Sequence, residues 1–393
     1  MVDPLGRSSR LLSLTGLRFV AASLVLLCHC GITLLPRVAP EREFEIALFY
    51  AAGAVGVSFF FILSGFVLTW VATDSDTKLL FWRRRVVKIF PNHLVTFAAA
   101  VALMLLTGAA VTFGNTVPVA LLAHAWIPDQ GVLLNFFINT PSWSLACELF
   151  FYLSFPWLLA LIRRIRPERL WACFAAVTAA IFAVPAVAGL LPAGERIYGS
   201  GEPWLGGWFM TFFPPVRALE FVLGILLARI VISGRWIRVP LTVAVPLAIG
   251  GCLLSAWLPD RFGEVAVTVM PLAFVIAAAA TADIGRHGTV FGGRTMVRLG
   301  EISYALYLVH WLVIAYGPIG RSDPQWGQSW GTTATVPEAL LQASVTIVVS
   351  LVLAWLLYTL VERPAMRRWS RPAHRPGSSS AEVPAAVAGR PVS

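Results

Sequence analysis

The chain has 393 residues, of which 58% are hydrophobic and only 13% charged, and it carries a net charge of +10. A water-soluble domain has roughly a quarter charged residues, so half that share excludes a soluble fold and makes lipid the main solvent. Nor does the positive charge point to nucleic acid, because the basic residues sit in short clusters between apolar runs, the pattern of membrane topology.

A helix needs about 20 apolar residues to cross the hydrocarbon. The first such window, Leu14–Leu35, follows Arg7 and Arg10 without a small-residue cleavage site behind it, and reads as an uncleaved span. It holds Arg18 and His29, and ionisable groups within a span are costly and functional by default. Eleven residues are three turns, so the two share one helix face about 16 Å apart. Arg18 could instead snorkel to the inner headgroups, and His29 could be a hydrogen-bonded packing residue. Cys28, His29 and Cys30 are adjacent, but successive helical side chains diverge by about 100°, so they cannot close on one ion and no metal is expected.

The second window, Ala51–Thr73, offers Gly56, Ser64 and Gly65 for close helix approach. A basic run, Arg83, Arg84, Arg85 and Lys88, precedes the third window, Phe90–Ala110. It is a topology signal and also a suitable seat for a phosphorylated ligand. Val117–Ile127 is apolar but too short to span, and is expected to be re-entrant or to lie at the surface. The fourth window, Trp143–Ile162, opens on Trp143, Ser144 and Glu148. Glu148 lies about 8 Å below the outer end, a depth matching that of His29. A carboxylate there could orient the imidazole of a general base, or pair with another buried donor. Windows Leu170–Leu191, Phe212–Ile232, Ile237–Leu258 and Val265–Ala282 follow. Arg217 and Glu220 open the sixth, spaced to pair with each other or to meet an acceptor. The ninth, Ile302–Gly320, places His310 among Tyr304, Tyr307 and Trp311, which suggests an aromatic packing face before a catalytic role. After the tenth, Ala339–Val361, residues 368–393 are rich in Pro, Ala and Ser and read as a disordered cytoplasmic tail. The remainder, 1–367, is one membrane domain.

The expected fold is therefore all-α and polytopic, with about ten transmembrane helices. With the N-terminus inside, the inner segments hold twenty-three Lys and Arg residues and the outer segments six, Arg18 lying within a span. A bias of that size places both termini in the cytoplasm.

At these residues the sequence resembles the acyltransferase-3 family of bacterial membrane O-acyltransferases. The resemblance covers nearly the whole chain, up to about Arg368. It rests on Arg18 and His29 with ten residues between them, on Gly56-Val57-Ser58-Phe59-Phe60-Phe61-Ile62-Leu63-Ser64-Gly65-Phe66, and on Trp143-Ser144-Leu145 with Glu148. Arg217-x-x-Glu220-Phe221-x-x-Gly224, the Ile302–Trp311 segment and Val361-Glu362-Arg363-Pro364 complete it. Each motif alone is weak, but six in the same order are specific. The resemblance implies transfer of an acyl group from acyl-CoA, a co-substrate rather than a bound cofactor, to a hydroxyl, with His29 and Arg18 essential. Two departures stand out: Lys88 where members often have a second arginine, and Phe90-Pro91-Asn92-His93 where many glycan-modifying members have Tyr-Pro-x-Tyr. The latter is similar to the actinomycete subgroup that acylates macrolide and ansamycin antibiotics.

The expected enzyme thus sits in the bacterial plasma membrane. Its partners are acyl-CoA, a hydroxylated small molecule and the lipid bilayer, with no nucleic acid. His29 and Glu148 are the catalytic candidates, and Arg18, Arg83, Arg84, Arg85 and Lys88 the donor-binding ones. Trp143, Ser144, Arg217, Glu220 and His310 stand as acceptor-side or structural residues. The alternatives are acylation of a cell-surface or lipid-linked carbohydrate and, from another class, a transporter or flippase. A transporter usually shows two related halves with broken helices, and neither is visible in the sequence.

Overall fold

The computed structural model describes residues 11–73, 76–134, 138–196, 203–258, 265–320 and 333–370. Every one of the ten apolar windows falls on a helix: α1 (Leu12–Val38), α2 (Glu43–Val71), α3 (Lys78–Thr107), α4 (Trp143–Arg163), α5 (Leu170–Ala188), α6 (Pro214–Ile232), α7 (Leu241–Trp257), α8 (Ala266–Ile284), α9 (Arg294–Tyr316) and α10 (Val336–Leu357). Eight of them are long and apolar enough to cross a membrane. The other two are α6, which carries Arg217, Glu220 and Arg229, and α7, which has 17 residues. Among the described residues there is no strand beyond one isolated bridge, Arg196 to Pro203. The protein is an all-α, polytopic membrane protein.

Helix α10 does not stop where its apolar window stops. It continues through a π-helical turn, Tyr358–Glu362, into a further helix, Arg363–Trp369. Arg368, assigned to the tail from sequence, is therefore helical, while residues 371–393 of that tail lie outside the described residues, as do Arg7 and Arg10. The short apolar stretch Val117–Ile127 does not form a span. Phe113–Ala120 is helical, His124–Trp126 makes one 3-10 turn, and Val119, Leu122, His124 and Ala125 are buried in the bundle.

Helix α1 is central, packing on α2 and α9. Helix α2 also packs on α6, α9 on α10, α7 on α8, and α6 against α4 and α5. The glycines explain how closely α2 can lie. A Cβ at Gly65 would stand 2.0 Å from the Phe221 carbonyl oxygen, and one at Gly224 would stand 2.0 Å from that of Ile62. Only hydrogen fits at either position, so α2 and α6 meet backbone to backbone, the small-residue contact that lipid-embedded helices use.

Contacts between connecting segments sort them into two ends. At one, the backbone N–H and hydroxyl of Ser13 both donate to Asp283, at 2.9 and 2.6 Å, satisfying a backbone N–H just inside α1. At that same end Arg84 pairs with Asp76 at 2.5 Å, Arg235 with Glu168 at 2.6 Å, and Arg83 donates to the Trp369 carbonyl at 3.0 Å. At the far end the Ala334 N–H donates to the Arg37 carbonyl at 3.0 Å, and Gln130 to that of Arg196 at 2.8 Å. The indole of Trp204 donates to the Pro128 carbonyl there, also at 2.8 Å. This is the alternation that ten crossings require, and the first end is the basic one.

Candidate active site

Two of the polar assemblies inside the bundle frame the candidate site. The first is a pair of histidines. His29 on α1 and His310 on α9 meet through Nδ1 and Nε2 at 3.0 Å, with ring centroids 5.1 Å apart. Trp311 stands edge-on to His29 at 4.9 Å. His310 is fully buried and its Nδ1 lies 3.2 Å from the Leu306 carbonyl. A carbonyl only accepts, so in the neutral pair Nδ1 of His310 carries the hydrogen and its Nε2 offers a lone pair. His29 then donates from Nδ1, and its own Nε2 is left unprotonated. This tautomer follows from the hydrogen-bond network. It makes Nε2 the unprotonated nitrogen of His29, whose ring is held by His310 and by a hydrogen bond to the Val25 backbone, the arrangement a general base needs.

The partner of His29 is therefore His310, and not Glu148 as the matching depths suggested. Helix α4 packs on α6, α2 and α3, while α1 packs on α9, and Glu148 lines a cavity with Arg18, eleven residues before His29 on α1.

The second assembly is a cavity of about 70 Å³ lined by Arg18, Lys88, Glu148, Tyr152, Tyr304 and Tyr307, with Ser144 and apolar residues of α2 completing the wall. Glu148 accepts a hydrogen bond from Tyr152 one turn on at 3.1 Å, and interacts electrostatically with Arg18, Lys88 and Arg85. Tyr152 is held in turn by Ser64 at 3.5 Å. At the upper wall, Ser144 and Tyr307 share a hydrogen bond of 2.7 Å and both reach the Pro141 carbonyl, so their hydrogens are already taken. Tyr307 also links the two assemblies, its ring lying 5.8 Å from that of His310.

The basic run on α3 divides. Arg83 and Arg84 stay at the surface in the contacts already described. Arg85 turns inward, its guanidinium 5.7 Å from the Phe81 ring and 5.9 Å from that of Tyr152. Lys88 reaches the cavity, its ammonium bound to Glu362 and 5.2 Å from the Tyr304 ring. Arg217 and Glu220 make the i,i+3 ion pair that their spacing allows, at 3.0 Å, both buried, with Arg217 also donating to Ser58 at 3.3 Å. Trp143 packs on Phe61 and Phe212. These three residues belong to the α2–α4–α6 contact and do not line the cavity with Arg18.

Outside the spans, His124 is buried and donates to or accepts from Ser142 at 3.2 Å. Burial, with a smaller contribution from nearby His93, lowers its pKa to about 4, so it is neutral at ordinary pH. His93 itself faces the Val119 and Ala120 carbonyls at 3.1 and 3.2 Å, tying α3 to this segment.

Sequence reasoning gave Tyr152, Tyr304, Tyr307 and Glu362 no part in the site. A signal existed for Tyr152, four residues after Glu148 and so on its face, and for Tyr307, three before His310.

Comparison with known proteins identifies the family. An acyltransferase domain family model, acyltransferase-3, matches residues 11–359. The chain is 40% identical to acyltransferase MdmB of Streptomyces mycarofaciens, covering 93% of this chain and 94% of that protein. It is 27% identical to the exopolysaccharide production protein ExoZ of Rhizobium meliloti, over 81% of this chain and 91% of the relative. A shorter match, 32% over 126 residues, links it to nodulation protein 10 of Rhizobium leguminosarum bv. viciae. The chain belongs to the acyltransferase-3 family and is an O-acyltransferase of the membrane.

Proposed function

We propose that this enzyme moves a short acyl group from acyl-CoA to a hydroxyl of a small natural product such as a macrolide or ansamycin, with His29 as general base. The observation that carries the reading is the His29–His310 pair, whose hydrogen-bond network makes Nε2 the unprotonated nitrogen of His29. As the acceptor oxygen attacks the thioester carbon, its proton passes to Nε2. The carbon–sulfur bond then breaks, and the proton returns to the departing thiolate. Arg18, Lys88 and Arg85 make the basic side of the donor path, which enters from the cytoplasm and runs outward past Tyr307. The cavity holds only a few waters, against about 300 Å³ or more for a ligand pocket, so its walls part to admit the donor. Glu148, held by Tyr152, faces these cations rather than the base.

The acceptor class is supported by Phe90-Pro91-Asn92-His93, similar to the antibiotic-acylating subgroup, and by the long match to MdmB. A carbohydrate acceptor is the second reading, favoured by the match to ExoZ, whose name concerns exopolysaccharide. The test is to incubate membranes bearing the enzyme with labelled acyl-CoAs and a panel of macrolides, ansamycins and sugars. Label on a macrolide or ansamycin hydroxyl is the expected result. Label on sugars alone would move the acceptor to the second reading, and transfer from no acyl-CoA would remove the donor.

A further inference from the structure

Glu362 lies three residues beyond the stretch matched by the family model, which ends at 359. Its side chain is 3% exposed, against 25% for that of Lys88. Two groups of α3, one turn apart, converge on it. The Lys88 ammonium binds Oε1, and Asn92 Nδ2 donates to Oε2 at 2.7 Å. Both oxygens are thus engaged, by residues some 270 positions earlier in the chain. Glu362 is also the last residue of the π-helical turn that interrupts α10, and single π turns within α-helices concentrate at functional sites.

An ammonium has three N–H donors. Glu362 takes one and the Tyr304 ring covers another side, which leaves Lys88 a hydrogen facing the cavity it lines. The carboxylate that lines that cavity is Glu148, which interacts electrostatically with Arg18, Lys88 and Arg85. Removing one partner of a buried ion pair leaves the other charge uncompensated, and Glu148 is the carboxylate on the cavity that Lys88 lines. Without Glu362, Lys88 would collapse onto Glu148 and close the cavity with an internal ion pair.

We propose that Glu362 is a positioning residue of the donor site. It holds Lys88 back from Glu148, so that the cavity presents the cations of Lys88 and Arg18 together to the anionic donor. The inference rests on the reading of Lys88 as a donor-binding residue. Asn92 serves the same end by fixing the second oxygen of the carboxylate.

The experiment compares Glu362→Gln, Glu362→Asp, Lys88→Met and the double variant Lys88→Met/Glu362→Gln, purified in detergent. It reads coenzyme A affinity, donor KM, kcat and thermal stability. Glu362→Gln should weaken coenzyme A binding about 10- to 100-fold, the range for losing a hydrogen bond to a charged group, with donor KM rising by a similar factor and kcat changing far less. Glu362→Asp should recover most of the affinity. The double variant, which leaves no orphaned charge, should be more stable than Glu362→Gln yet bind coenzyme A no more weakly than Lys88→Met alone. Lowered stability with unchanged coenzyme A affinity would make Glu362 purely structural, and effects that multiply in the double variant would show that it acts elsewhere than through Lys88. Unchanged affinity in Lys88→Met would remove Lys88 from the donor site and the inference with it. An impaired Lys88→Met beside a normal Glu362→Gln would overturn the inference alone. If Glu362→Gln does not insert, Glu362→Asp and the double variant carry the same comparison.

Discussion

At the scale of single residues, the proposed chemistry turns on which nitrogen of His29 is unprotonated. The Leu306 carbonyl orders His310, and His310 orders His29. His29→Ala should lose roughly 10²- to 10⁴-fold in turnover, the usual worth of a positioned base, while still binding coenzyme A. His310→Phe removes the acceptor for the Nδ1 hydrogen, and turnover should fall with donor KM unchanged. His310→Gln, whose amide oxygen can accept the same hydrogen, should retain more activity than the phenylalanine variant. Equal loss in both would show that His310 acts by volume and not by accepting the hydrogen bond. For Arg18, replacement by lysine keeps the charge and loses the planar fork, so donor KM should rise, and an unchanged value would take Arg18 out of the donor site. The identities of Arg18, His29 and Glu148 were legible in the sequence because a charge inside an apolar window stands out. Their partners were not. Counting residues along a helix fixes neither its offset nor its rotation against the helices packed on it, because both depend on neighbours far along the chain, and His310 is 281 residues from His29.

At the scale of elements, each of the ten apolar windows fell on a helix among the described residues, since nothing but a helix satisfies its own backbone in lipid over that length. It did not reveal the fold of the segment between α3 and α4, where an apolar run too short to cross is held by His93, His124 and Ser142 rather than by length. The glycines of α2 were legible as approach points, and the structure names what approaches. Gly65→Ala should force α2 and α6 apart, because the added methyl would meet a backbone carbonyl that cannot swing aside. The expected cost is about 1–3 kcal/mol, as for other overpacked cores, visible as a lower unfolding temperature in detergent. Alanine at Gly250, where an added Cβ meets nothing within 4 Å, is the control and should leave that temperature unchanged. A normal unfolding temperature for Gly65→Ala would mean that the two helices are not in backbone contact.

At the scale of the whole molecule, the alternation of ends fixes which segments share a side, and the basic residues propose which side is cytoplasmic. Reporter fusions at Asp129 and at Arg166 should therefore read outside and inside respectively, and the same reading from both would break the ten-span topology. That architecture places the proposed donor seat toward the basic end and the histidine pair toward the other. Arg18 and His29 belong to one helix that runs without interruption from Leu12 to Val38, so their separation of about 16 Å is constant. On the proposed seat at Arg18, helix α1 is a ruler: a donor thioester held there would reach His29 only with an arm of matching length, and shorter thioesters should be refused by distance rather than by shape.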